Sequence, residues 1–194
     1  MPSILFDSDL PLQEHYCSNM AVDIPDIDEP ETRTLLRTRF LPFVMTDPAP
    51  AYAVVLVAAS DYGMTRSHAI DLLQLQGMAI SEINQALKDP VRATSDQLIA
   101  AVANMACYEG LFGDKATFNT HMTGLLRMVS LRGGLPALGL EGLLERILLW
   151  VDANATHLVG THLYFDKLAF PTSAAHPRPN RKRFAEGILR QQHS

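Results

Sequence analysis

The stretch His121-Met-Thr-Gly-Leu-Leu-Arg-Met-Val-Ser-Leu-Arg-Gly-Gly134 decides how this chain folds. Met122, Leu125 and Val129, with Phe118 one turn upstream, recur every three or four residues, the spacing that lines one face of an α-helix. Gly133 and Gly134 can take the left-handed backbone that closes a helix. A helix is therefore predicted over about 115–132. Arg132 lies in its last turn, where a cation meets the negative end of the helix dipole, worth about 0.3–1 kcal/mol. Its simplest role, like that of His121 and Arg127, is capping and interhelical ion pairing.

Working outward, helix signals follow one another with no strand pattern between them. Upstream, Thr94-Ser-Asp-Gln97 matches a capping box. The helix behind it carries Leu98, Ile99, Val102, Met105, Ala106 and Leu111, and stops at Gly113-Asp114. Ser67 is read as the cap of a helix reaching about Lys88, with Ile70, Leu73, Met78, Ile80, Ile83 and Leu87 on its apolar faces. Gly77 inside it either costs about 1 kcal/mol against alanine or marks a close helix crossing. Asp47-Pro48 is a further start signal, an acceptor followed by proline at the first helical position. The run Ala51 to Ala59 behind it, closed by Tyr62-Gly63, reads as a buried helix rather than a strand. An earlier helix is expected from Pro30 to about Leu41, ended or kinked by Pro42. Downstream, one short turn between Leu135 and Gly142 precedes a helix over about 141–163. Its stripe is Leu144, Ile147, Leu148, Val151, Ala155 and Leu158. The fold class is all-α, an irregular multi-helix bundle or array of about six helices. Residues 1–28 read as an irregular acidic arm, 29–165 as the helical domain, and 166–194 as a Pro-rich, basic tail with one short helix at 181–191.

With 194 residues, 47% hydrophobic and 19% charged, the chain suits one domain with a large core. Its net charge of −5 disfavours duplex DNA, whose binding needs Lys and Arg against several phosphates. Only Arg178, Arg181, Lys182 and Arg183 cluster, in Pro177-Arg-Pro-Asn-Arg-Lys-Arg183, a short basic run of the kind used for nuclear import. The two cysteines, Cys17 and Cys107, are too few for a disulfide framework and are read as free thiols, Cys107 buried. No apolar run approaches the roughly 20 residues that span a bilayer, and no secretory signal opens the chain. The chain is read as a soluble intracellular protein.

Reactive constellations are weak. His157 and His162, five apart, would point about 140° away from each other on a helix, where a two-histidine metal site needs a spacing of four. Cys107 with His121 is conceivable as a thiol–imidazole pair, but a core cysteine and a packed or capping histidine explain both. Gly133-Gly-Leu-Pro-Ala-Leu-Gly-Leu-Glu-Gly142 lacks the lysine and hydroxyl of a phosphate loop. Trp150 and Asp152 read as packing and as a solvent-facing or arginine-paired carboxylate. No cofactor, metal site or catalytic residue is implied.

An ordered set of pieces nevertheless resembles one family. Leu36-Arg-Thr-Arg-Phe-Leu-Pro-Phe-Val-Met-Thr-Asp-Pro48 is followed by Ala79-Ile-Ser-Glu-Ile-Asn84 and Ala100 to Tyr108. Phe118 and His121 then lead into Gly124-Leu-Leu-Arg-Met-Val129, Arg132-Gly-Gly134, Leu138-Gly-Leu140 and Trp150-Val-Asp152. Together they resemble the fungal-specific transcription factor domain, the regulatory region usually found downstream of a six-cysteine zinc cluster. The resemblance implies a non-enzymatic helical regulator in fungal nuclei, often near genes of secondary metabolism. It would act by protein contacts or self-association, with an unknown effector. His121, Gly124, Arg127, Arg132, Gly133, Gly134, Trp150 and Asp152 carry the motif. Two departures stand out. Two cysteines cannot form the zinc cluster, so no sequence-specific DNA binding of its own is expected. Family domains also usually continue well beyond the equivalent of Asp152, which points to a truncated regulator or to half of a helical layer. Two other classes remain open. One is a small-molecule-binding module lined by Met64, Met78, Met105, Met122 and Met128. The other is an enzyme using Cys107, His121 or Asp152.

Overall fold

A computed structural model describes residues 14–21, 27, 34–65, 71–166, 170–172, 174–180 and 184. Among these residues there are six α-helices and no strand: α1 Leu41–Val44, α2 Pro48–Thr65, α3 Leu72–Leu87, α4 Asp96–Phe112, α5 Lys115–Arg132 and α6 Leu143–Val159. Short π-helical turns at Tyr16–Met20 and Leu36–Phe40 and 3-10 turns at Arg92–Thr94, Leu135–Ala137 and Leu140–Gly142 fill the connections. The all-α expectation holds.

The start signals act as local chemistry dictates, with shifts of register. Asp47 Oδ1 accepts from Ala49 N at 2.9 Å and so caps α2. Arg92 Nη2 clamps the same carboxylate at 2.9 Å. Ala51 to Ala59 is helical and buried along its length save Tyr52. A helix apolar on every side belongs inside a protein, and α2 packs between α3 and α4. It continues to Thr65, past the expected stop at Tyr62-Gly63. Pro42 does not end the helical run: the π-helical turn Leu36–Phe40 passes directly into α1, and Pro42 lies in the first turn of α1. Pro30 lies outside the described residues.

Two caps differ from expectation. α3 begins at Leu72, and its cap is Asp71, whose side chain accepts from Gln74 N at 3.0 Å; Ser67 and Ile70 lie outside the described residues. Ser95 caps α4, accepting from Leu98 N at 3.2 Å, because Thr94 is taken up in the preceding 3-10 turn. Asp114 caps α5 through Ala116 N and Thr117 N at 2.8 and 3.0 Å. α5 ends at Arg132 as expected, and Gly133 closes it with φ +108°. The connection to α6 holds two 3-10 turns instead of one, and α6 is shorter than expected, closed by Gly160 at φ +69°.

α4 is the hub, packed against α2, α5 and α6. Leu98 to Ala103, Met105 and Ala106 are all buried. At its far end a Cβ on Gly110 would lie 3.2 Å from Ala155 Cβ, so α4 and α6 cross there at the limit of close approach. α3 lies at the edge of the array. Its buried residues are Ala79, Ile83 and Ala86, whereas Leu73, Ile80 and Leu87, expected on apolar packing faces, are exposed. Gly77 marks no crossing among the described residues, none of which lies within 4 Å of where its Cβ would be.

Replacing Gly110 by Val should wedge α4 from α6. Overpacking of this kind costs about 1–3 kcal/mol, read as a lowered urea midpoint, while an exposed Gly77→Ala should stabilise by up to about 1 kcal/mol.

Candidate functional site

Arg132, Gly133, Gly134 and Asp152 lie at two joints of the array. The first is where α5 ends. Arg132 Nε and Nη2 bind the two oxygens of Asp96 at 3.2 and 3.3 Å, and Gly139 N donates to Asp96 Oδ2 at 3.2 Å. One carboxylate in the first turn of α4 thus holds the last turn of α5 and the loop between the two 3-10 turns. A Cβ on Gly139 would fall 2.5 Å from Asp96 Oδ2, which explains the glycine in Leu138-Gly-Leu140. Gly134 follows at φ +96°, and Leu135 and Leu138 turn into the core. The glycine-rich connection is therefore a tight interhelical turn.

The second joint is Asp152, in the middle of α6. Its side chain is neither solvent-facing nor paired with an arginine. It is buried and accepts from Tyr164 N at 3.0 Å and Phe165 N at 2.9 Å. Burial pushes its carboxyl up from 3.8 to about 6, against the opposing pull of the two N–H groups and of His162. The chain leaving α6 is thereby folded back on the helix. Tyr164 donates to Asn119 Oδ1 of α5 at 2.8 Å and meets Phe118 edge-on, and Phe165 is fully buried. Further along, Asn180 N donates to Asn154 Oδ1 at 2.6 Å, and the Phe184 ring lies 5.0 Å from that of Trp150.

The other predicted residues scatter. His121 is half-buried, and burial lowers its pKa. Gly124 has open space where a Cβ would lie, and Arg127 and Arg178 are exposed. Arg181, Lys182 and Arg183 lie outside the described residues. Cys107 is half-buried, and desolvation pushes its thiol up to about 12, so it carries no thiolate at neutral pH. His157 and His162 are both exposed. Among the described residues no three His, Cys, Asp or Glu side chains gather into a metal site, and no helix is long and apolar enough to cross a membrane. Met105 and Met122 are fully buried in the core, Met128 nearly so and Met78 partly; the Met64 side chain lies outside the described residues.

Two carboxylates were not singled out by the sequence reading. Asp96 follows the Ser95 cap and looks like an ordinary first-turn acid. Glu109 is more legible, as an acid within the apolar run of α4. It is buried, its pKa raised chiefly by burial, and it accepts from Asp114 N at 3.2 Å and Gln76 Nε2 at 3.3 Å. All three carboxylates do the same thing, tying backbone N–H groups of a connection to a helix.

The chain matches the fungal specific transcription factor domain over residues 11–182. It belongs to that family, which is a transcription factor regulatory domain and not a class of enzymes. No curated protein and no solved structure matches it.

Two outcomes follow at these joints. Asp96→Ala should cost about 1–3 kcal/mol, since it orphans Gly139 N, whereas Arg132→Ala, removing the more exposed partner, should cost under about 1 kcal/mol; urea titrations of both variants check the order. Asp152 has a folded-state pKa above its unfolded value, so the folded state retains a proton that the unfolded state releases. Its contribution to stability is therefore greatest below about pH 4 and lost as pH rises through about 6. Asp152→Asn removes this dependence. The stability gap between wild type and variant should widen by on the order of 1 kcal/mol from pH 7 to pH 5, and a constant gap would contradict the buried carboxyl.

Proposed function

We propose that the chain is a regulatory module of transcription that acts through protein contacts in the nucleus, without a DNA-reading part of its own. The observation that carries this reading is the family match over residues 11–182, spanning the whole helical array. The net charge of −5 supports the absence of direct duplex binding. The two joints support a role for the motif in setting helix positions: Arg132, Gly133, Gly134 and Asp152 hold connections in place, and both oxygens of Asp96 and Asp152 are taken up in doing so. A protonated Cys107 thiol gives no support to a thiol nucleophile. The setting in secondary metabolism and the import role of Arg178, Arg181, Lys182 and Arg183 belong to the same proposal.

Fusing the chain to a heterologous DNA-binding module ahead of a reporter in a fungal host tests it. Reporter output should differ from that of the DNA-binding module alone. Asp96→Ala should weaken the effect at matched protein level. A fusion that is nuclear and folded yet leaves the reporter untouched would sink the proposal. A fluorescent fusion should concentrate in nuclei and spread to the cytoplasm when the four basic residues are replaced by Ala.

A further inference from the structure

The chain that leaves α6 returns along that helix, and α6 carries the acceptors that receive it. Glu145, Asp152 and Asn154 are only 2, 1 and 2% exposed, and each accepts a hydrogen bond from the segment after the helix. Asp152 takes Tyr164 N and Phe165 N, Glu145 takes Thr172 Oγ1, and Asn154 Oδ1 takes Asn180 N. Buried polar groups of a folded chain are hydrogen-bonded, so this segment is a strap that α6 needs. Its two ends differ. At the inner end Phe165 is fully buried. At the outer end Ala175, Arg178, Pro179 and Asn180 are exposed, and Pro177 and Pro179 have no N–H to contribute. Attachment there runs through Asn180 N, 2.6 Å from Asn154 Oδ1, and through the buried Phe184 ring, 5.0 Å from that of Trp150. Asn154 is oriented for this by its own helix, since its Nδ2 donates to Trp150 O at 2.8 Å.

These outer attachments coincide with the basic run Pro177-Arg-Pro-Asn-Arg-Lys-Arg183. Asn180 stands in the middle of the run, and Phe184 follows it directly. The N–H of Asn180 is engaged by Asn154, and its C=O accepts from Phe184 N at 3.0 Å. That second bond spans four residues. It holds the two Cα atoms about 6 Å apart, as in one helical turn, where an extended chain would set them about 13 Å apart. A receptor that reads consecutive cations needs an extended backbone, whose N–H and C=O groups it bonds while alternate side chains enter its pockets. We infer that the strap masks the basic run. Docked on α6 through Asn180 and Phe184, the run is withheld from an import receptor, and it is presented when the outer end of the strap lifts. The inference rests on the import reading above and adds its regulation. The receptor's affinity for the whole protein is that for the free run reduced by the lifted fraction, so loosening Asn180 or Phe184 speeds entry into the nucleus.

Trypsin cuts after Arg181, Lys182 and Arg183 and also needs an extended chain. Its rate follows the lifted fraction while lifting is fast. In the full chain these cuts should be at least about tenfold slower than in the free peptide 175–194, and Phe184→Ala or Asn154→Ala should speed them about tenfold. Emission from Trp150, the single tryptophan, should shift to the red in Phe184→Ala while the circular dichroism spectrum stays unchanged. Fused to a fluorescent cargo too large to diffuse through nuclear pores, the Phe184→Ala chain should enter nuclei of permeabilised cells faster than wild type. Replacing Arg178, Arg181, Lys182 and Arg183 by Ala in that variant should abolish the entry. If wild type is cut as fast as the peptide, or if Phe184→Ala is cut faster yet enters no faster, the masking is overturned, even where the peptide carries the same cargo into nuclei. A peptide that leaves the cargo outside would remove the import reading and the masking together.

Discussion

The structure depends on one helix being enclosed. α4 meets α2, α5 and α6 on different sides, and it can do so because its central residues are small. Ala100, Ala101, Ala103 and Ala106 leave the backbones free to approach, and Gly110 removes even a methyl group where α6 crosses. Interaxial distances are set by the side chains at the contact, and small side chains permit the close approach seen at Gly110 and Ala155. α2 is enclosed in the same way between α3 and α4. The outer elements then bury one face each, and α3, at the margin, buries the least.

Enclosure creates a second requirement. Connections packed against the helices must satisfy their backbone N–H groups. In this chain carboxylates do so at three places: Asp96 at Gly139, Glu109 at Asp114, and Asp152 at Tyr164 and Phe165. A hydrogen bond to an ionised acceptor is stronger than one between neutral groups, which offsets part of the cost of burying the charge. That cost remains visible in the raised pKa values of Glu109 and Asp152. Acids that would suggest catalysis in an open cleft are here the fastenings of a regulatory domain.

How much of this was legible beforehand varied with the range of the interaction. The end of α5 could be read off because Gly133 and Gly134 stop a periodic stretch, whereas Asp114, which caps its start, was read only as the stop of the helix before it. α2 was legible as a helix because Asp47-Pro48 outweighs the β-branched valines that follow. Caps were misplaced by one residue at Ser95, where a 3-10 turn claims Thr94, and by four at the next helix upstream, whose described start is capped by Asp71. Of the candidate site, Arg132 in an ion pair and the paired-glycine stop were legible. The partners of Arg132 and Asp152 were not, since they lie 36 and at least 12 positions away in the chain.

Local chemistry by itself determined the all-helical class, most helix starts and stops, and the apolar stripes of α5 and α6, because capping, proline and glycine act within a single turn. Only the tertiary structure decided which stripe met a partner. Leu73, Ile80 and Leu87 follow helical spacing as faithfully as Leu144, Leu148 and Val151, yet only the latter are covered. Periodicity states that a face exists, whereas burial depends on which helices crowd around it, a choice made by the small residues of α4 and by carboxylates that reach connections distant in sequence.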